Sequence, residues 1–280
     1  MTDSNFSPLT AKDGINLVLV DWPLERGPVR GVILLVHGLG EHAWRYDHVA
    51  ERLNSWGFAV RGYDQYGHGE SMGPRGALPS ADRLLSDLAE VVDESRARMN
   101  ARTPLIILGH SMGGLVAARF VSLEMRPVQG LILSSPALDP GLGPLQKLLL
   151  AVLPRFAPDL RVGNGLNPGH ISHDPAVVAA YRADPLVHDR ISARLAVFIA
   201  ETGPATLANA AAWRLPTLLL YAGQDKLVNP AGSRAFAQAA PAASVTTHCF
   251  EDLYHEIFNE LPEGRERVFV ELKRWLDARF

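Results

Sequence analysis

The 280-residue sequence contains one cysteine, Cys249. A single thiol cannot close an internal disulfide or build a multi-cysteine metal site, so nothing here calls for an oxidising compartment. Long apolar runs are also missing. None approaches the ~18 residues of a membrane-spanning helix. The longest candidate, Leu148 to Leu153, is stopped at once by Pro154. Met1 to Gly14 is polar and has no apolar core of the signal-peptide kind. Charge of one sign is scarce, with 27 basic against 30 acidic side chains and no block of five like charges. That leaves no basic tail or patch for nucleic acid. The expectation is a soluble, cytoplasmic protein.

What is present is ordinary globular material, 47% hydrophobic and 20% charged, which excludes a disordered chain. Asp13-Gly14 is a two-residue turn signal before the branched apolar run Ile15 to Val20, so the chain opens on a hairpin. Val32 to Val36 is a short run without alternation, as in a strand covered on both faces. Helical spacing follows from Asp47 to Trp56, with Asp47 as N-cap and Gly57 as stop, and again after Ser80. Phe58 to Val60, Leu105 to Leu108 and Leu131 to Leu133 read as strands, and Gly113 to Met125 as a helix. This alternation predicts an α/β fold, a mostly parallel central sheet with helices on both faces.

The rhythm breaks after Ser135 and resumes at the strand Thr217 to Tyr221. A crossover needs only ~10–12 residues including its helix. The excess therefore reads as an inserted helical cap over 136–215, with 1–135 and 216–280 as one core. Pro175 to Arg182 and Ser192 to Glu201 are its helical patterns. Helix Gly232 to Ala240, strand Val245 to Phe250 and a last helix burying Val268, Leu272, Trp275 and Leu276 complete the chain.

The sharpest chemical signal is Gly109-His110-Ser111-Met112-Gly113. Two glycines around a serine occur by chance, but here a strand precedes and a helix follows, the setting of a nucleophile elbow. The turn is tight, so side chains at the glycine positions would clash. It lifts the Ser111 hydroxyl above the sheet edge and aims the Met112 amide at a developing oxyanion. The alternative is an ordinary strand–helix turn with a capping serine.

A serine hydroxyl needs a base. In this architecture the order is serine, acid, histidine. His170, His173 and His188 lie in the insertion and His248 inside a strand. His255 follows the strand Val245 to Phe250, at the carboxyl edge where ligands gather. Asp225 follows Thr217 to Tyr221 and is the expected acid, ahead of Asp139 at the mouth of the insertion and Asp252 beside His255. Its role is to orient the imidazole without taking the proton. His37-Gly38-Leu39-Gly40 supplies a second oxyanion amide at Leu39, with His37 structural. The glycine-rich Asp64 to Ser71 lacks the Lys-Ser/Thr ending of a P-loop and reads as a bracing turn. Leu142 to Leu153 is either an interfacial helix resting on lipid or a cap helix packing inward. Trp44 lines a pocket or joins the core. Cys249 reads as a buried thiol.

His37-Gly38-Leu39-Gly40-Glu41-His42 with Arg45-Tyr46, Gly67-His68-Gly69-Glu70-Ser71, Gly109-His110-Ser111-Met112-Gly113-Gly114, Asp184-Pro185-Leu186 and Tyr254-His255 together resemble the monoacylglycerol lipase and lysophospholipase family of the α/β-hydrolase superfamily. The resemblance covers nearly the whole chain. It implies the α/β-hydrolase fold with a lipophilic cap, a triad of Ser111, Asp225 and His255, and an oxyanion hole at Leu39 and Met112; no metal or organic cofactor is expected. It implies a small lipid ester as substrate, with monoacylglycerol expected; the leucine-rich stretch of the insertion adds the expectation of transient membrane-surface contact through the cap. A lysophospholipase, a broad short-chain carboxylesterase and a non-enzymatic hydrolase-fold ligand-binding protein are the alternatives. Activity should fall as His255 protonates, near the unperturbed histidine value of about 6.5.

Overall fold

The computed structural model describes residues 5–24, 27–143, 150, 152 and 154–280. Strands β1 (Asn5–Thr10) and β2 (Asn16–Trp22) form a hairpin around Asp13-Gly14, with Thr10 opposite Asn16. Then come β3 (Gly31–Val36), α1 (Asp47–Ser55), β4 (Phe58–Tyr63), α2 (Arg83–Arg98), β5 (Leu105–His110), α3 (Ser111–Ser122) and β6 (Gly130–Ser134). The segment between β6 and the next strand of that sheet carries β7 (Arg161–Gly163), α4 (Pro175–Ala183), β8 (Arg190–Ser192) and α5 (Ala193–Leu207). The chain ends with β9 (Thr217–Ala222), α6 (Pro230–Ala239), β10 (Val245–Phe250) and α7 (Pro262–Asp277).

Among the described residues one sheet holds eight strands in the order β1-β2-β4-β3-β5-β6-β9-β10. Only β2 runs against its neighbours; from β4 to β10 every pairing is parallel. Alternate residues serve opposite faces. Leu34 and Val36 of β3 join one core with α2, α3, α5 and α6, while Ile33 and Leu35 join a second with α1 and α7. Each such buried side chain contributes roughly 1.5–3 kcal/mol relative to an exposed one. That is why these strands carry unbroken apolar runs. The chain leaves β3 toward β4 on one side and returns to β5 on the other. This reversal opens a crevice at the carboxyl ends of β3 and β5, where ligands bind in open α/β sheets.

Several boundaries differ from the sequence expectation. Asp47 is the first residue of α1 rather than its cap, because its carboxylate accepts from the Trp22 indole at 2.7 Å. Helix α2 starts at Arg83, since the Ser80 hydroxyl donates to Asp82 at 2.6 Å instead of capping. Helix α3 stops at Ser122 and α5 runs on to Leu207 through Pro204. Strands β7 and β8 were not expected. They are three residues each and pair only with each other. Residues 144–149, 151 and 153 of the leucine-rich stretch lie outside the described residues. Trp44 packs on Phe6 and Trp22, ring centroids 4.7 and 5.8 Å away, which places it against the β1–β2 hairpin.

Candidate active site

Ser111 opens α3 immediately after β5 with φ of +54°, left-handed backbone that a non-glycine residue rarely adopts. A Cβ at Gly113 would collide with the carbonyls of Val36 and His37, so the elbow closes only on glycine. The loop after β3 passes directly beneath. A Cβ at Gly38 would stand 3.2 Å from the Ser111 Cβ.

That loop is held by Glu41. Its carboxylate accepts from the Gly38 amide at 2.5 Å and from the Tyr46 hydroxyl at 2.7 Å. The Gly38 amide is thereby occupied. The next amide, Leu39, has no acceptor among the described residues. Met112 sits in the first turn of α3, where amides lack intrahelical acceptors. A developing oxyanion between these two amides would find donors that nothing else claims.

His255 and Asp225 follow β10 and β9. The His255 Nδ1 lies 2.6 Å from Asp225 Oδ2, and Asp225 Oδ1 accepts from the amides of Leu227 and Val228 at 2.9 Å each. Both side chains are buried. Burial opposes the charged form of Asp225, but His255 and the two amides outweigh it and hold the carboxyl below its ordinary value. Burial also opposes charge on His255. Asp225 first, then Glu256 and Glu41, overcome it and leave the imidazole above its ordinary 6.5. Ser111, His255 and Leu39 line one cavity of about 250 Å³, along with His110 and Tyr181.

The rival residues are engaged elsewhere. Asp139 accepts from Asn229 Nδ2 at 2.7 Å. Asp252 pairs with Arg267 at 2.5 Å and His248 with Glu271 at 3.4 Å, both away from the cavity. His37 donates from Nδ1 to the Gly38 carbonyl and accepts from the Gln65 amide through Nε2, which fixes its tautomer as a structural brace. His173 bonds the buried Glu260 at 2.9 Å. The glycine-rich loop is bent around Asp64, which accepts from the amides of Ala43 and Glu70 at 2.8 Å each. Cys249 is half-buried, not fully buried, and desolvation pushes its thiol up. Among the described residues no cluster of three or more His, Cys, Asp or Glu could hold a metal ion.

A family model described as serine aminopeptidase, S33 matches residues 27–262. The chain belongs to that family of α/β-hydrolases.

This serine hydrolase is 35% identical to the monoacylglycerol lipase of Mycolicibacterium smegmatis, over 94% of this chain and 93% of the relative. It is 33% identical to phospholipase YtpA of Bacillus subtilis, over 91% and 98%. Its fold is similar to the crystal structure of Paleococcus ferrophilus monoacylglycerol lipase, with a TM-score of 0.85, 34% identity and coverage of 94% and 99%.

The hydrolase carries a charge network that the sequence reading did not find. Arg45 donates to Glu41 at 2.5 Å and to both oxygens of Glu256 at 2.7 and 2.6 Å. All three are buried. Burial would raise the Glu41 carboxyl, but Arg45 and the nearby histidines hold it at about 2. Arg45 thus ties the Leu39 loop to the residue after His255. The motif Glu-His-x-x-Arg-Tyr contains two members of this set, but nothing in the sequence links them to position 256. A second tie joins His42 Nε2 to Asp184 Oδ2 at 2.8 Å. A third runs from the His188 amide to the Gly40 carbonyl at 2.9 Å, where a Gly40 Cβ would strike the His188 carbonyl.

Two expected results arise here. Arg45→Met strands two buried carboxylates, and loss of one partner in a buried pair destabilises by about 3–5 kcal/mol. Urea unfolding should show that loss; a change under ~1 kcal/mol would mean that water relieves the pair. The second concerns pH. A base must be neutral to accept a proton, so activity falls as pH drops through the His255 pKa. Because that pKa is raised, the acid limb of kcat/KM should lie above 6.5, not at it. A limb at or below 6.5 would contradict the Asp225 coupling.

Proposed function

We propose that this enzyme hydrolyses monoacylglycerol to glycerol and fatty acid through an acyl-enzyme. Ser111 is the nucleophile. His255 takes its proton, and Asp225 orients the imidazole and stabilises the imidazolium. The Leu39 and Met112 amides receive the oxyanion of the tetrahedral intermediate, where losing a single donor costs about 2.7–4 kcal/mol in comparable sites. The imidazolium then protonates the leaving glycerol oxygen, and water repeats the sequence on the acyl group. The observation that carries this reading is the unclaimed Leu39 amide beside a strained Ser111, in a cavity shared with an Asp-coupled His255. The monoacylglycerol lipases similar to this chain over most of its length support the substrate.

The test is glycerol release from monoacylglycerols of graded chain length, by wild type and Ser111→Ala. Release that peaks at one length and vanishes in the variant supports the proposal. Cleavage of short aryl esters alone would replace it with a general carboxylesterase.

Residues 136–215 act as a cap over a core of 1–135 and 216–280, and the cap meets lipid in a cytoplasmic setting. Phe156 is 82% exposed, with Val152, Leu160, Val162 and Leu166 also exposed nearby in sequence. No described helix is long and apolar enough to cross a membrane, so contact would be at the surface. Phe156→Asp should reduce co-sedimentation with liposomes while sparing hydrolysis of a short soluble ester. Equal sedimentation of both proteins would remove the lipid role from this patch.

A further inference from the structure

The residues on either side of His255 are both fastened to the segment between β6 and β9. After His255, the Glu256 amide donates to the Ile171 carbonyl at 2.8 Å. Before it, the Tyr254 ring stacks on the His173 ring with centroids 3.6 Å apart. The Tyr254 hydroxyl also accepts from Lys226 Nζ at 2.6 Å, and Lys226 follows the acid Asp225 in the chain. Neither Tyr254 nor His173 nor Lys226 lines the catalytic cavity, so these contacts lie outside the space an ester fills.

At the centre of this mount is Glu260, which is 1% exposed and also does not line the cavity. An ionised carboxylate has about four acceptor sites. Here each oxygen takes two partners. Oε1 accepts from the Tyr254 amide at 2.7 Å and faces His173 Nδ1 at 2.9 Å. Oε2 accepts from the His173 amide at 3.2 Å and from the Leu261 amide at 3.3 Å. A carboxylate that only accepts places the ring hydrogen of His173 on Nδ1. One buried group therefore joins the backbone just before His255 to both the backbone and the ring of His173. The Ser172 hydroxyl adds a parallel tie by donating to the Asn259 carbonyl at 2.8 Å. What the mount fixes is a distance. His255 Nδ1 stands 2.6 Å from Asp225 Oδ2, and that contact depends on where the 254–256 backbone lies.

We propose that Glu260, together with His173, is a positioning residue for His255, seating the Tyr254 backbone so that the imidazole meets Asp225 and Ser111. The proposal rests on the hydrolytic reading above, with His255 as base, and makes residues 171–173 part of that base's support.

The experiment follows hydrolysis of a short soluble aryl ester across pH by wild type, Glu260→Gln, His173→Leu and His173→Asn, with His255→Ala as reference. The His173 side chain is 34% exposed, so its variants decide the matter if Glu260→Gln does not fold. kcat should fall about tenfold in His173→Leu and up to about 100-fold in Glu260→Gln, the scale of a misplacement of about 1 Å. KM should stay nearly unchanged. His255 is faced by Asp225, Glu256, Glu41 and the ring of His110. Burial lowers its pKa, and Asp225 is the strongest of the groups that raise it. A shifted ring loses part of that support. The acid limb should therefore move to lower pH by about 0.5 or more, within the roughly one to three units that an adjacent opposite charge supplies. His173→Asn puts an amide NH₂ where Nδ1–H stood and should recover most of kcat and of the limb. Leucine and asparagine are both uncharged, so comparing these two variants holds charge fixed.

An unmoved limb overturns the proposal, and lost stability with wild-type kcat makes Glu260 a fastener only. A change confined to KM, or a His173→Asn no better than His173→Leu, overturns it as well. All three of these results leave the hydrolytic reading intact. A His255→Ala protein that keeps the wild-type rate overturns that reading and this proposal with it, and it does so with Glu260 and His173 untouched.

Discussion

Ser111→Ala is expected to lower kcat by roughly a millionfold, the scale seen when the nucleophile of a serine hydrolase is removed. Residual rate would come from the proposed oxyanion amides of Leu39 and Met112 and from binding alone. In Ser111→Gly, stability should move the other way. Ser111 holds a φ of +54°, and left-handed backbone costs an L-residue about 1–2 kcal/mol. Glycine escapes that penalty but loses more chain entropy on folding. The balance for Ser111→Gly is a gain of up to about 1 kcal/mol, or about 2–4 °C in Tm for a chain of this size. Calorimetry on the two proteins would show it. An inactive but less stable Ser111→Gly would mean that the elbow is not strained at this residue.

Asp225→Asn should lower kcat by about 10⁴-fold, because an amide can hold the ring in the wrong tautomer. Its fold should survive, since the asparagine oxygen can still accept from the Leu227 and Val228 amides. The pH profile gives a separate reading. Asp225 is the strongest of the partners holding the His255 pKa up. Without that charge, burial dominates and the imidazole loses its proton more readily. The acid limb of the residual activity should therefore move to lower pH. Activity profiles of variant and wild type decide the matter. A large rate loss with an unmoved limb would make Asp225 a structural residue only.

Much of this arrangement was legible in the sequence, for definable reasons. Strands β3, β5 and β9 are covered on both faces, so their residues are apolar without alternation. Ser111 was marked by the strand and helix that flank it. His255 and Asp225 were reached by chain order and by their places after strands. The illegible parts depend on contacts across the fold. Arg45 and Glu256 lie far apart in the chain, and no spacing rule pairs them. His42 and Asp184 are joined only because the segment between β6 and β9 folds back over the sheet. Strands β7 and β8 are three-residue pieces with little burial, so neither periodicity nor hydrophobicity announces them. Neither Asp47 nor Ser80 caps a helix: the Asp47 carboxylate accepts from the Trp22 indole, and the Ser80 hydroxyl donates to Asp82.

The stretch Asp184 to Ser192 is stitched to the core at three points: His42 to Asp184, Gly40 to His188, and the Gly76 carbonyl to the Ser192 amide at 2.8 Å. Two of these three are backbone to backbone, so they tolerate almost any side-chain change but not a change of path. This divides the protein for anyone building chimeras with its relatives. A seam placed before residue 184 keeps these three ties but replaces Tyr181, whose ring lies 4.6 Å from the Arg45 guanidinium, and Ile171, whose carbonyl accepts from the Glu256 amide at 2.8 Å. A seam that carries 184–192 across would import a new path against Gly40 and disturb the Leu39 loop along with it.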